Sequence, residues 1–188
     1  MTDTSSPADV VRPLLRTRQV REFTDVPVER EALDALADVA RWSGSSRNNQ
    51  PWRFIIVTDR ATLRKLADSG MPVTRALQTA TAAIAITIPE QPGWKISHAY
   101  DEGRAAERIL VGANLLGLGA GIVWISGEGR DLAGGLLGLP EDRFVRTVVA
   151  LGHPTEAARQ PKSDPGDARL PRDQTVLHER WQGDGEST

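Results

Sequence analysis

Three clusters of residues in this 188-residue chain have the side chains to do chemistry or hold a ligand. The first is basic. Arg16, Arg18 and Arg21 lie within six positions, beside Thr17 and Gln19. Guanidinium forks recognise phosphate, and each charged hydrogen bond contributes about 1.5–3 kcal/mol. The same residues also read as a solvated basic face. The second cluster is the polar loop Gly44-Ser45-Ser46-Arg47-Asn48-Asn49-Gln50-Pro51-Trp52. Its neutral donors and acceptors suit the polar edge of a flat heterocycle. The alternative is a self-satisfied turn with Pro51 and Trp52 packed inward. The third is the run Gly117-Leu118-Gly119-Ala120-Gly121. A dinucleotide fingerprint needs a strand before its glycines and a helix after them, and here the order is reversed. The run therefore reads as a helix C-terminus followed by a tight turn.

Other chemistries find little footing. The chain has no cysteine, which removes disulfides, thiol catalysis and cysteine metal sites. His98, His153 and His178 are far apart, so no metal site is expected. No Gly-x-Ser-x-Gly occurs, and nothing singles out two carboxylates among the 25 acidic residues. With a net charge of −2, no general attraction to nucleic acid or to an anionic membrane is expected. Apolar residues make up 39% and charged residues 26%, an ordinary globular composition. No apolar run approaches the ~18 residues of a membrane span, and the polar start lacks the apolar core of a signal peptide, so a cytoplasmic protein is expected.

The elements that must position these clusters follow from periodicity. Asp9–Leu15 reads as a short helix, broken by Pro13 unless that proline sits in its first turn. Glu29–Trp42 reads as a helix with Leu33, Leu36, Ala37 and Ala40 on one stripe. Phe54–Val57 is a strand, and Asp59 caps a helix to about Asp68. Ala82–Ile88 is a strand, Ala99–Leu116 a long helix, Gly121–Ile125 a strand, Leu132–Leu137 a short helix and Arg146–Leu151 a strand. Asp173–Trp181 is a last segment anchored by Val176, Leu177 and Trp181. One domain is expected over 8–182, with 1–7 and 183–188 as flexible tails. Within the region from about 155 to 182, Pro161–Pro171 reads as an irregular arm, thick with Pro, Gly and Asp. An arm of that length is expected to lie on a partner subunit. The fold class is α+β, with helices on both sides of a small mixed sheet.

Together the basic segment and the polar loop resemble the nitroreductase family of FMN-dependent oxidoreductases. The family opens with an Arg-Arg-Ser-x-Arg-x-Phe pattern, matched by Thr17-Arg18-Gln19-Val20-Arg21-Glu22-Phe23, and continues with Pro27-Val28 and a helix. Its Pro-Ser-Ser-x-Asn-x-Gln-Pro-Trp element is matched by Gly44 through Trp52, then Phe54-Ile55-Ile56-Val57. Leu116-Gly117-Leu118-Gly119, Trp124-Ile125-Ser126-Gly127, Leu137-Gly138-Leu139-Pro140, Leu151-Gly152-His153-Pro154 and Arg169-Leu170-Pro171 follow in family order.

The resemblance implies a three-layer α-β-α fold in an intertwined homodimer, with FMN at the subunit interface. It implies that Thr17, Arg18, Gln19 and Arg21 hold the phosphate and ribityl end with Arg169. It implies that Ser45, Ser46 and Asn48 come from the other subunit, and that backbone near Ser126 and Gly127 addresses the reactive edge of the flavin. The implied activity is hydride transfer from NAD(P)H through FMN to a nitroaromatic, quinone or similar acceptor, by a ping-pong mechanism with no catalytic side chain. Two other readings of the resemblance are an FMN oxidase or dehydrogenase of a biosynthetic pathway, like the cyclodipeptide oxidases, and a flavin-binding dimer without turnover. The chain departs from the family at Thr17 and Gln19, where arginine and serine are usual, and at Asp167, where a basic residue is frequent. Fewer positive charges then face the phosphate, and weaker FMN binding is expected.

Overall fold

A computed structural model describes residues 6–69, 75–160, 163 and 168–181. Compact packing divides the chain into Met1–Ala158 and Arg159–Thr188. Asp167 and most of both expected tails lie outside the described residues.

Two cores on opposite faces of one sheet define the first unit. The strands are β1 (Arg53–Val57), β2 (Ala82–Pro89), β3 (Gly119–Trp124) and β4 (Arg143–Gly152), in the order β1-β2-β4-β3. Strand alternation sorts their residues. Ile84, Ile86 and Ile88 with Val149 and Leu151 pack under α2 (Arg30–Arg41) and α5 (Lys95–Leu115). Ala83 and Ala85 with Val148 and Ala150 pack under α3 (Arg60–Asp68), α4 (Ala76–Thr79) and α6 (Arg130–Leu137). The three layers of an α-β-α fold are therefore present.

One expectation needs correction. The sheet is antiparallel at every pairing among the described strands, not mixed. β2 and β3 run in the same direction, but β4 enters between them and every neighbour becomes antiparallel.

The helices hold where their stripes were read. Leu33, Leu36 and Ala40 are buried on α2, and Asp59 caps α3 by accepting from the Thr62 N–H at 2.8 Å. The Thr62 hydroxyl, donating to the same carboxylate at 2.7 Å, and then that N–H hold the exposed Asp59 carboxyl below its usual value. Gly138 ends α6 in the left-handed region at φ 65°. α1 spans Pro7–Arg16, longer than expected: a reciprocal Ser6–Asp9 capping box secures its first turn, and Pro13 lies inside the helix. α5 starts four residues earlier than its apolar stripe suggests. No helix among the described residues is long and apolar enough to cross a membrane.

The first unit ends in α7 (Glu156–Arg159), which runs one residue into the second. Among its described residues the second unit contains one short helix, α8 (Arg172–Thr175), and an exposed Trp181.

Candidate functional site

Strand β3 lies at an edge of the sheet and acts as a rail for two of the expected clusters. The segment after α1 is laid along it: the Val20 N–H donates to the Ala120 carbonyl at 2.7 Å. Further on, Phe23 forms a bridge with Pro154, and the Thr24 N–H donates to the His153 carbonyl at 2.8 Å. The glycines make this approach possible. A Cβ on Gly121 would stand 2.3 Å from the Val20 carbonyl oxygen, and one on Gly119 would stand 2.8 Å from Val20 Cγ1. The glycine run is a helix end, as read, with Gly117 at φ 72°. Its last glycines belong to β3, which starts two residues earlier than expected.

The clamp fixes where the basic side chains emanate. Gln19 Oε1 accepts from the Ile122 N–H at 3.1 Å and from Arg21 Nη2 at 3.4 Å. The glutamine that replaces the usual serine thus ties the segment to β3. Arg18 Nη2 donates to the Ala158 carbonyl at 2.8 Å. The Thr17 hydroxyl donates to the Pro13 carbonyl at 3.2 Å, closing the end of α1. Ser126 and Gly127 follow the same strand. Ser126 Oγ accepts from the Gly129 N–H at 3.2 Å, while a Cβ on Gly127 would meet nothing within 4 Å.

The loop cluster is placed by α5 instead. The Ser46 N–H donates to both oxygens of Asp101, at 3.0 and 3.1 Å, and Asp101 is only 2% exposed. Arg104 lies against Gly44, where a Cβ would fall 2.2 Å from its Nη2. Arg108 Nη1 donates to the Trp42 carbonyl at 2.8 Å. Asp101, Arg104 and Arg108 share a helix face by spacing, and together they hold the turn that leaves α2. Periodicity reports the apolar stripe of α5 and not this polar one, so sequence reasoning missed all three.

Within the loop, Ser45 Oγ accepts from the Gln50 N–H at 2.9 Å, and Asn48 Oδ1 accepts from Gln50 Nε2 at 3.1 Å. Pro51 and Trp52 are buried, as the turn reading had it. Yet Arg47, Asn48 and Gln50 all have φ near 50°. Three left-handed residues without glycine cost energy, and such strain gathers at ligand sites.

Arg169 lies in the second unit, exposed, with Nη1 donating to the Ala168 carbonyl at 2.6 Å. The structure thus brings Arg18, Gln19, Arg21, Ser126 and Gly127 to β3. It sets Ser45, Ser46 and Asn48 on a different element and leaves Arg169 in the other unit.

Beside β3, an apolar groove of about 230 Å3 runs between it and α5, lined in part by Ile122, Trp124, Glu102 and Arg146. Glu102 is 2% exposed and paired with Arg146, which is itself nearly buried. Arg146 is the extra residue of a bulge, since Ile86 pairs with Thr147 but Thr87 with Val145. The guanidinium sits 5.4 Å from the Trp124 ring centre. Nearby, Trp94 stacks on His98, and Tyr100 is exposed.

Known proteins resemble this chain in sequence and in fold. The model of the nitroreductase family matches residues 14–88. An Archaeoglobus fulgidus protein, provisionally described as an NADH dehydrogenase/NAD(P)H nitroreductase, is 30% identical over 79% of this chain and 87% of its own. An FMN reductase [NAD(P)H] of Bacillus subtilis is 27% identical over 82% of this chain and 70% of its own. The solved structure of an FMN-dependent nitroreductase from Clostridium difficile has the same fold, with a TM-score of 0.75 and 24% identity over 89% of this chain and 98% of that one. On the strength of the archaeal relative and the matching family model, this chain belongs to the nitroreductase family.

Proposed function

We propose that this chain is an NAD(P)H-dependent flavin oxidoreductase that holds FMN along β3 and passes electrons to a nitroaromatic, quinone or similar acceptor. The observation that carries the reading is the clamp of the Arg18–Arg21 segment onto the strand that ends in Ser126-Gly127. The donor set fits the cofactor. Arg18 and Arg21 suit a phosphate, and the open backbone at Gly127 admits a flat ring. The strained loop at Arg47–Gln50 adds neutral polar groups.

FMN held by these residues would supply the redox chemistry between NAD(P)H and the acceptor, in two half-reactions that correspond to ping-pong kinetics. Hydride transfer needs no side-chain acid or base, so the residues of this chain bind, orient and exclude water. Arg18 and Arg21 neutralise the phosphate, joined by Arg169. Thr17 and Gln19 set the course of the segment that carries them. Ser45, Ser46 and Asn48 meet the ring from a second copy of the chain. The region from about 155 to 182 wraps that copy within one domain of 8–182.

The test is the visible spectrum of protein supplemented with FMN and then desalted, before and after anaerobic NADH or NADPH. Retained FMN that bleaches with either nucleotide is expected. A colourless protein after supplementation overturns the reading. In the same titration Arg18→Ala weakens FMN tenfold or more but riboflavin little, because riboflavin lacks the phosphate; tenfold is about 1.4 kcal/mol.

A further inference from the structure

A second cavity, of about 210 Å3, opens where β2 ends. Lys95 and His98 from the first turn of α5, Glu90 from the turn after β2, Arg130 from the start of α6, and Phe144 and Arg146 from β4 line it. Three cationic side chains face one carboxylate. None of these residues belongs to the set assigned to FMN.

The cationic groups are held but incompletely satisfied. Arg130 lies over the Phe144 ring at 4.8 Å, and Arg146 lies 5.9 Å from the same ring. The bulge places Arg146, and its pairing with Glu102 engages Nη2. His98 is 2% exposed and stacked on Trp94, with ring centres 6.0 Å apart. Arg130 Nε, Arg146 Nε and His98 Nε2 are buried with no hydrogen-bond partner among the described residues. A buried guanidinium donor left without an acceptor costs roughly 1–3 kcal/mol, so Arg130 and Arg146 stand beside the cavity with positive charge only partly matched. No side chain caps the start of α5, and the dipoles of its first turn add to the positive field.

We propose that this cavity is a subsite for an oxyanion, the carboxylate of a small planar electron acceptor, with Phe144 as the wall for its ring. The proposal rests on the oxidoreductase reading and names its substrate class. The volume of about 210 Å3 accommodates a carboxylate on one ring. A phosphate of the nicotinamide nucleotide has the same chemistry and is the other source of such an anion.

The test is calorimetric titration of flavin-supplemented protein with sodium benzoate and, separately, with inorganic phosphate at low ionic strength. Wild type, Lys95→Gln and Arg130→Gln are compared. Lys95 is exposed, so its variant keeps the fold even if Arg130→Gln does not. Wild type is expected to bind benzoate, and the folded variants to bind it at least tenfold more weakly with flavin content unchanged. A parallel tenfold fall in the kcat/KM ratio of 4-nitrobenzoate to nitrobenzene is expected. Tighter phosphate than benzoate, with the same dependence on Lys95 and Arg130, assigns the oxyanion to the nucleotide instead of the acceptor. Binding of neither anion, or binding indifferent to both substitutions, overturns the subsite even if NAD(P)H bleaches the flavin. Benzoate binding that depends on Lys95 in a protein that retains no flavin keeps the subsite and overturns the oxidoreductase reading.

Discussion

Asp101 accounts for the shape of the polar loop. Its buried carboxylate accepts from one backbone N–H with both oxygens, and Arg104 Nη1 lies 3.8 Å away. A hydrogen bond to a charged group contributes about 1.5–3 kcal/mol, which offsets part of the cost of three left-handed residues. Asp101→Asn keeps one acceptor and removes the charge. The loop then loosens while the two hydrophobic cores stay intact. FMN affinity is expected to fall about tenfold to a hundredfold by the same energy, and riboflavin affinity to fall equally, because the loop is assigned to the ring and not to the phosphate. The contrast with Arg18→Ala separates the two roles. Unchanged affinity for both flavins in a folded Asp101→Asn protein would show that the loop does not touch the ring.

At the scale of elements, β3 depends on glycines whose reason lies far upstream in the chain. The sequence order around Gly117–Gly121 was enough to reject a dinucleotide loop, since a helix enters and a strand leaves. It did not say why Gly119 and Gly121 lack side chains, because the atoms they make room for belong to Val20. The same divide runs through the whole reading. The Leu33, Leu36 and Ala40 stripe, the Asp59 cap and the Gly138 stop are local and were legible. The antiparallel sheet, the Arg146 bulge and the grip of α5 on the loop arise from contacts between distant segments, which periodicity does not record. Gly121→Ala tests the clamp. Its methyl would meet backbone, which cannot rotate away, so a loss of about 1–3 kcal/mol is expected together with weakened FMN binding. Gly135→Ala on α6 is the counterpart, because a Cβ there meets nothing within 4 Å and alanine favours helix by about 0.5–1 kcal/mol. Thermal unfolding should move in opposite directions for the two, with flavin lost only in the first.

As a whole molecule, the first unit leaves apolar surface uncovered. α1 buries no residue and exposes Leu15 at 76%, while α5 exposes Ile96 at 75% and Tyr100 at 73%. Large apolar side chains exposed on neighbouring helices suit an interface, and the proposed function has a second copy of the chain complete the site. A site shared between two subunits makes a prediction that no single-chain site does. Arg18→Ala damages the phosphate end and Asp101→Asn the loop, each in its own subunit. In a heterodimer of the two variants, one site carries both defects and the other carries neither. Co-expression with two different tags allows the heterodimer to be isolated, and it should bind about one FMN per two subunits at wild-type affinity, where each parent homodimer binds weakly. A site built within one chain leaves every subunit of the heterodimer with a defect, so no tight binding returns. Recovery of one tight site per heterodimer, read by FMN titration, therefore decides between the two constructions independently of any turnover.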